Sequence, residues 1–361
     1  MTGSESIRFN PDYAVEPGET LAEVLEERGM TQAELARRTG LSTKHINQVI
    51  KGAASITAET ALKLERVTLI PARFWTNLET QYRDAKSREE ESLALETEIP
   101  WLKDLPIKYL QDRDWIPKIT GPDLVRSVFE FFGVASRDAW ATVWATPTGY
   151  RMSRVHESNG YSLASWLRIA ELEASKVEAM PFDRKGLQVA LPNLRHLTRR
   201  SVEEWYPRLI EECASVGVVV VLEPEVPGSR VCGAVRWVDS DRVLIVMSLR
   251  HKWADVFWFS FFHEVAHILL HDRKKLTFID GPPANGETDE LELEADVFAS
   301  RTLIPREFES HLPMLQSRSA IISFAKEIGI HPGIVVGRLQ HQRLLPFSQL
   351  NDLKERYVFS D

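Results

Sequence analysis

Read as a string of apolar and polar positions, the chain changes period more than once. Over residues 20–69 apolar residues recur at helical spacing in short stretches punctuated by Gly29, Gly40 and Gly52. Each stretch is about three turns or fewer, which is the texture of a small helical bundle. Pro71 closes this run, and Phe74-Trp75 opens a further helix that the pattern carries to about Lys86. Residues 101–215 are again mostly helical, most clearly over 123–132 and 163–179. At Gly217 the period shortens. Residues 218–222, 231–237 and 243–249 are β-branched runs divided by Pro227-Gly228 and Asp239-Ser-Asp241, and they predict three strands. A strongly apolar helix follows over 255–271, then a loop containing Gly281, Pro282, Pro283 and Gly286, then a helix over 289–303. Helices around 320–328 and 332–344 close the chain. The expected architecture is mixed: an all-α N-terminal domain, a helical middle region and an α+β C-terminal domain.

Composition narrows this picture without redrawing it. A chain of 361 residues, 43% hydrophobic and 27% charged, has the usual globular mix and length for about two to three domains. Its 52 acidic against 44 basic residues give a net charge of -8, which excludes an indiscriminate basic coat for nucleic acid. That sum averages over the chain and leaves room for a small basic face. Cys213 and Cys232 are the only cysteines, so a disulfide framework is excluded and a cytosolic home is favoured. The polar start, with Pro11, Pro17 and Gly18, does not resemble a signal peptide. The most apolar stretches are 216–222, which is short, and 256–270, which His263, Glu264 and His267 interrupt. A soluble cytoplasmic protein with no membrane partner is expected.

Charge also places a boundary. Arg88-Glu-Glu-Glu91, Glu96 and Glu98 read as a solvated helix face or linker. The expected division is 1–85, an all-α N-terminal domain; 86–200, a charged linker and helical middle region; and 201–361, an α+β domain with C-terminal helices. Trp101, Trp115, Trp140, Trp144, Trp166 and Trp205 read as packing residues.

The first stretch with defined chemistry is 31–50. Ala33, Leu35 and Ala36 supply the apolar face of one short helix, and Gly40 permits a left-handed turn. Ser42 is placed to cap a second helix in which Ile46, Val49 and Ile50 face inward. This is a helix-turn-helix, whose second helix enters the major groove. Its outward Thr43, Lys44, His45, Asn47 and Gln48 carry groups that bond base edges or phosphates, and Gln32 stands where it can steady the backbone. Between Leu35 and Ala58 there is no acid, while Arg37, Arg38, Lys44 and Lys51 supply four positive charges. Ser42-Thr-Lys-His-Ile-Asn-Gln-Val-Ile-Lys-Gly52, residues 56–65 and Phe74-Trp75 resemble the Xre-type domain of HigA/VapI antitoxins over residues 10–85. The resemblance implies a dimeric repressor on an operator with two half-sites; the candidate DNA contacts are Gln32, Ser42, Thr43, Lys44, His45, Asn47, Gln48 and Lys51. One departure is Ala53-Ala54, where such domains often carry a basic residue.

The second is His263-Glu264-Val-Ala-His267. Residues four apart on a helix share one face, so both imidazoles reach a single ion, and Glu264 stands beside the first ligand as a base for an attacking water. A catalytic zinc takes three protein ligands and keeps one position open. On a helical wheel of residues 290–303, Leu291, Ala295, Phe298 and Thr302 define one face, and Glu292 and Glu294 flank it about equally. Periodicity does not choose between them, and His271 continues the face of the two histidines as another candidate. Asp296 reads either as a carboxylate orienting a ligand or as a solvated residue. His271, His331 and Arg338 are candidates for steadying an oxyanion.

Phe257-Trp-Phe259, Phe262-His-Glu-Val-Ala-His-Ile-Leu-Leu-His271, Glu294-Ala-Asp-Val-Phe-Ala299 and Leu303-Ile-Pro305 resemble the ImmA/IrrE metallopeptidase family over residues 200–310. The resemblance implies a zincin-like fold, a Zn2+ held by His263, His267 and Glu294, and a gluzincin-like endopeptidase that cuts a regulatory protein. Metal-assisted hydrolysis with Glu264 as proton carrier is then expected, with an extended substrate pairing along 231–237. The competing expectation is a non-catalytic repressor-antitoxin whose C-terminal domain binds a toxin or senses metal.

Overall fold

The computed structural model describes residues 15–145, 159–271, 277–279 and 290–358. It is mostly helical. The helices are α1 (Pro17–Glu27), α2 (Gln32–Thr39), α3 (Thr43–Ile50), α4 (Ala58–Thr68), α5 (Ala72–Glu96), α6 (Ile107–Asp112), α7 (Pro122–Phe132), α8 (Arg137–Trp140), α9 (Gly160–Ala174), α10 (Arg184–His196) and α11 (Val202–Ala214), followed by α12 (Ala254–Leu270), α13 (Glu290–Leu303), α14 (Arg318–Ile328) and α15 (Pro332–His341). Four strands accompany them: β1 (Val218–Leu222), β2 (Gly233–Trp237), β3 (Val243–Met247) and β4 (Thr277–Ile279). Compactness separates Met1–Ile99 with Thr120–Asp123 from Pro100–Ile119 with Leu124–Asp361, so most of the helical middle shares a unit with the C-terminal domain.

In the first unit the helix boundaries follow from caps. Thr31, Ser42 and Thr57 each accept a hydrogen bond from the backbone N–H three residues on, satisfying a donor that the first turn leaves unpaired. Gly40 ends α2 at φ 71°, a conformation that costs a side chain with a Cβ. Leu21, Leu25, Leu35, Ile46, Val49, Leu64 and Trp75 meet in one core. Glu79 of α5 reaches into it, its Oε2 accepting from Ile56 N at 3.0 Å and its Oε1 from Arg83 Nε at 2.8 Å. The helix expected to end near Lys86 continues to Glu96. Residues 86–91 are exposed, and the run is built from strong helix formers without Gly or Pro, so it propagates as a solvated helix.

In the second unit the sheet order is β1-β3-β2-β4, with β1 parallel to β3 and the other pairs antiparallel. All five residues of β3 are buried, so both faces of that strand are covered. Val218, Val220, Val235, Val243, Ile245 and Met247 pack with Phe257, Trp258, Phe261, Phe262 and Val265 of α12. α9 and α11 pack on β1. Trp101, Trp140, Trp144, Trp166 and Trp205 are buried, as a packing role requires, while Trp115 is half-buried. Three strands were expected from the pattern; β4 is a fourth, and its three residues are too few to show a period of two. It pairs with Ala234–Arg236, and that pairing corrects the expected substrate edge. β2 has β3 on one side and β4 on the other, so the outer edges among the described residues belong to β1 and β4. The expected loop at Gly281–Gly286 lies outside the described residues. Among the described residues no single helix is long and apolar enough to cross a membrane.

Candidate metal centre and nucleic-acid face

α12 is apolar around most of its circumference and buried along nearly its whole length, which fixes its rotation tightly. Burial of Phe257, Trp258, Phe261, Phe262 and Val265 carries His263, Glu264 and His267 into the interior, each 1% exposed or less. α13 packs along α12 and brings Glu292, 4% exposed, to the same place. His263 Nε2 lies 3.0 Å from His267 Nε2. Glu292 Oε2 is 3.2 Å from the first nitrogen, and Glu292 Oε1 is 3.6 Å from the second.

The surrounding partners fix where the protons are. Asp296 Oδ1 lies 2.9 Å from His263 Nδ1 and accepts its proton, so His263 Nε2 carries a lone pair. Glu294 Oε2 lies 3.3 Å from His271 Nε2, and His271 Nδ1 lies 2.9 Å from His267 Nδ1. A carboxylate at the end of that chain takes the Nε2 proton of His271, whose Nδ1 then accepts from His267 Nδ1. His267 Nε2 is thereby also left as a lone pair. Burial, with His263 and His271 close by, holds the His267 pKa far below the usual imidazole range, which keeps the ring neutral. Burial also lowers His271, against the pull of Glu294.

Two imidazole nitrogens and a buried carboxylate thus converge on one point. Such a cluster is repulsive unless a cation sits within it. Four ligand atoms at about 2.0–2.1 Å from a tetrahedral zinc are roughly 3.3 Å apart, close to the 3.0, 3.2 and 3.6 Å seen here. The residues present fit the ion.

This geometry brings Glu292 to the two histidines and leaves Glu294 outside that group. Glu294, which the family resemblance implies, is 55% exposed on its side chain and turns to His271 instead. The buried stripe of α13 is Glu292, Ala295, Ala299 and Leu303, one position displaced from the face drawn on the wheel. Asp296 meets the other ring nitrogen of His263, the contact that an orienting carboxylate would make. Of the other polar candidates, His331 Nδ1 accepts from Gly333 N to cap α15, and Arg338 donates to Ser300 Oγ.

Sequence reasoning missed Gly233. A Cβ there would stand 2.8 Å from Glu264 Oε1 and 3.0 Å from Met247 Sδ, so the first residue of β2 is the wall against which Glu264 rests. A lone glycine in a strand is the signal that marks such an approach. Gly233→Ala is expected to keep the metal and lower turnover by about 10²-fold through displacement of that carboxylate, measured as metal content beside initial rate.

In the first unit, Ser42, Thr43, Lys44 and Lys51 are exposed and Gln32, His45, Asn47 and Gln48 half-buried. Asn47 Nδ2 donates to Gln32 Oε1 at 3.3 Å, tying the start of α2 to α3. Glu34, one residue before the acid-free window, pairs with both Arg37 and Arg38. Lys44 and Lys51 make no ion pair among the described residues and are the cations of this face.

Comparison with known proteins agrees with both halves. The helix-turn-helix family profile matches residues 21–75, and the profile of the IrrE N-terminal-like domain of M78 peptidases matches residues 244–339. Virulence-associated protein I of Dichelobacter nodosus is 35% identical over 92 residues, 25% of this chain and 84% of that protein. A HigA-family addiction module antidote protein from Coxiella burnetii is 32% identical, with 24% of this chain and 95% of that one covered at a TM-score of 0.22. The Pseudomonas aeruginosa antitoxin HigA with the higBA promoter is also 32% identical, with 24% and 96% covered at 0.23. The chain therefore belongs, through its antitoxin-like DNA-binding helix-turn-helix domain, to the family of virulence-associated protein I, and carries beside it a domain of the IrrE-like M78 peptidase family.

Proposed function

We propose that this protein is a DNA-binding regulator whose C-terminal domain is a zinc-dependent endopeptidase acting on a regulatory protein. The observation that carries the reading is the convergence of ligand atoms from His263, His267 and Glu292 within 4.8 Å, with Glu264 next to the first of them. Those three residues would hold zinc, which when bound supplies Lewis acidity toward a scissile carbonyl. Asp296 and the His271–Glu294 pair keep the Nδ1 protons of the two ligand histidines in place. Glu264 takes the proton of the attacking water and returns it to the leaving amine. The buried setting strengthens each of these charge interactions. Gentle purification is expected to yield about one zinc per chain, and less than about half an equivalent would count against a catalytic site.

The N-terminal domain is proposed to bind operator DNA as a homodimer, with α3 in the major groove and Ser42, Thr43, Lys44, His45, Gln48 and Lys51 facing the duplex. Gln32 and Asn47 act as a bonded pair at the edge of that face. Lys44→Ala and Lys51→Ala are each expected to weaken binding to the DNA upstream of the protein's own gene and to reduce the salt slope by about one. Retention of the full slope in both variants would place the phosphate contacts elsewhere.

A further inference from the structure

A cavity of about 390 Å³ opens within the second unit where α12, α13 and α15 meet. It adjoins the metal cluster along one helix face. Phe259, one turn before His263, lines it, and the rings of these two residues are 6.3 Å apart. Ser300, one turn after Asp296, lines it from α13. Val256, Leu303, Ile334 and Phe347 make the walls largely apolar, and the volume is at the small end of the roughly 300–1,000 Å³ of ligand sites.

Its charges do not balance. Lys354 Nζ and Asp255 Oδ2 are 2.7 Å apart with side chains 9% and 10% exposed, so that pair cancels itself. Arg338 remains. Its Nη1 donates to Ser300 Oγ at 2.6 Å, and its Nη2 and Nε reach a correctly turned Gln342 amide oxygen at 3.2 and 3.3 Å. All three contacts are to neutral acceptors. The nearest carboxylate, Glu309, is 3.9 Å from Nη2, and the same oxygen is 3.9 Å from Arg301 Nε, so one anion is shared loosely by two guanidiniums. These contacts use three of the five guanidinium N–H groups, and one on each of Nη1 and Nη2 remains for a further acceptor such as a carboxylate. Burial opposes the Arg338 charge, and an incoming anion would relieve that cost.

We propose that this cavity binds a small monocarboxylate with an apolar body, the carboxylate seated on Arg338 and the body against Val256, Phe259, Leu303 and Ile334. The inference stands apart from the peptidase reading, because nothing in it requires zinc or turnover. A lone guanidinium favours a monoanion over phosphate, and the apolar walls favour an organic acid over an inorganic one.

Calorimetric titration of the full chain with octanoate and with 1-octanol tests it. Saturable octanoate binding is expected, about tenfold or more tighter than 1-octanol, the difference that a charge-assisted bidentate contact supplies. Arg338→Gln should abolish that difference. Arg338→Lys, which keeps the charge and loses the fork, should retain only part of it. Val256→Trp, which fills the cavity and leaves the guanidinium, should weaken both ligands, with its thermal melt reporting whether the fold is intact. Absence of saturation by octanoate, equal affinity for 1-octanol, or unchanged octanoate binding in both arginine variants would overturn the proposal. So would competition by inorganic phosphate as effective as that of octanoate.

Discussion

Glu264→Gln is expected to keep a full complement of zinc and to lose peptide hydrolysis by about 10²–10⁴-fold, the range for removal of a general acid–base group. The substitution is nearly isosteric, so the side chain still fits against Gly233. It leaves the three convergent ligands untouched, and metal content therefore serves as the internal control. What it removes is the capacity to take and return a proton. The measurement pairs metal analysis with mass-spectrometric detection of peptide products from a denatured protein substrate. Unchanged cleavage would eliminate Glu264 as the proton carrier. Loss of zinc with activity would give it a structural role in the cluster instead. Absence of products from both wild type and variant, with zinc present in both, would favour the repressor-antitoxin without catalysis.

The parts of this molecule that are legible in its sequence are those set by local rules. Gly40 and Ser42 announce the turn and the start of α3, because a left-handed residue and a cap are decided within a few positions. The spacing of His263 and His267 places both on one helix face whatever the tertiary structure does. The strands β1, β2 and β3 are visible as β-branched runs. Their order is not, because the parallel pairing of β1 with β3 is a long-range choice made by the helices that cover them. β4 escapes for a related reason, as three residues gain their identity from the partner strand. The acid-free window of the helix-turn-helix begins at Leu35, one residue after the glutamate that neutralises part of its charge, and a window drawn on sequence does not register a partner just outside it. The wheel of α13 misleads most informatively. A glutamate among Leu, Ala and Val counts as polar, yet Glu292 occupies the buried stripe alongside Ala295 and Ala299. A carboxylate stands where packing rules call for an apolar side chain, and a pattern of hydrophobicity is blind to that exchange.

Exchanging the two glutamates of α13 separately should therefore give unequal results. Glu292→Gln replaces the anionic donor of the proposed site by a neutral amide, and its loss of zinc affinity is expected to exceed the roughly 10–100-fold that outer partners of a metal site cost. Glu294→Gln acts only through His271, at 3.3 Å and half in solvent, so a loss of about tenfold or less is expected. Chelator competition measures both. The reverse order would return the ligand role to Glu294. The metal-free proteins supply a second readout with the opposite sign. Without a cation, Glu292 holds a buried carboxylate against two nitrogen lone pairs, and the glutamine variant relieves that repulsion by offering a donor. Chelated Glu292→Gln should accordingly melt above chelated wild type, while added zinc should raise the melting temperature of wild type far more than that of the variant. A ligand is distinguished from an ordinary core residue by that crossing: the same side chain destabilises the empty fold and stabilises the loaded one.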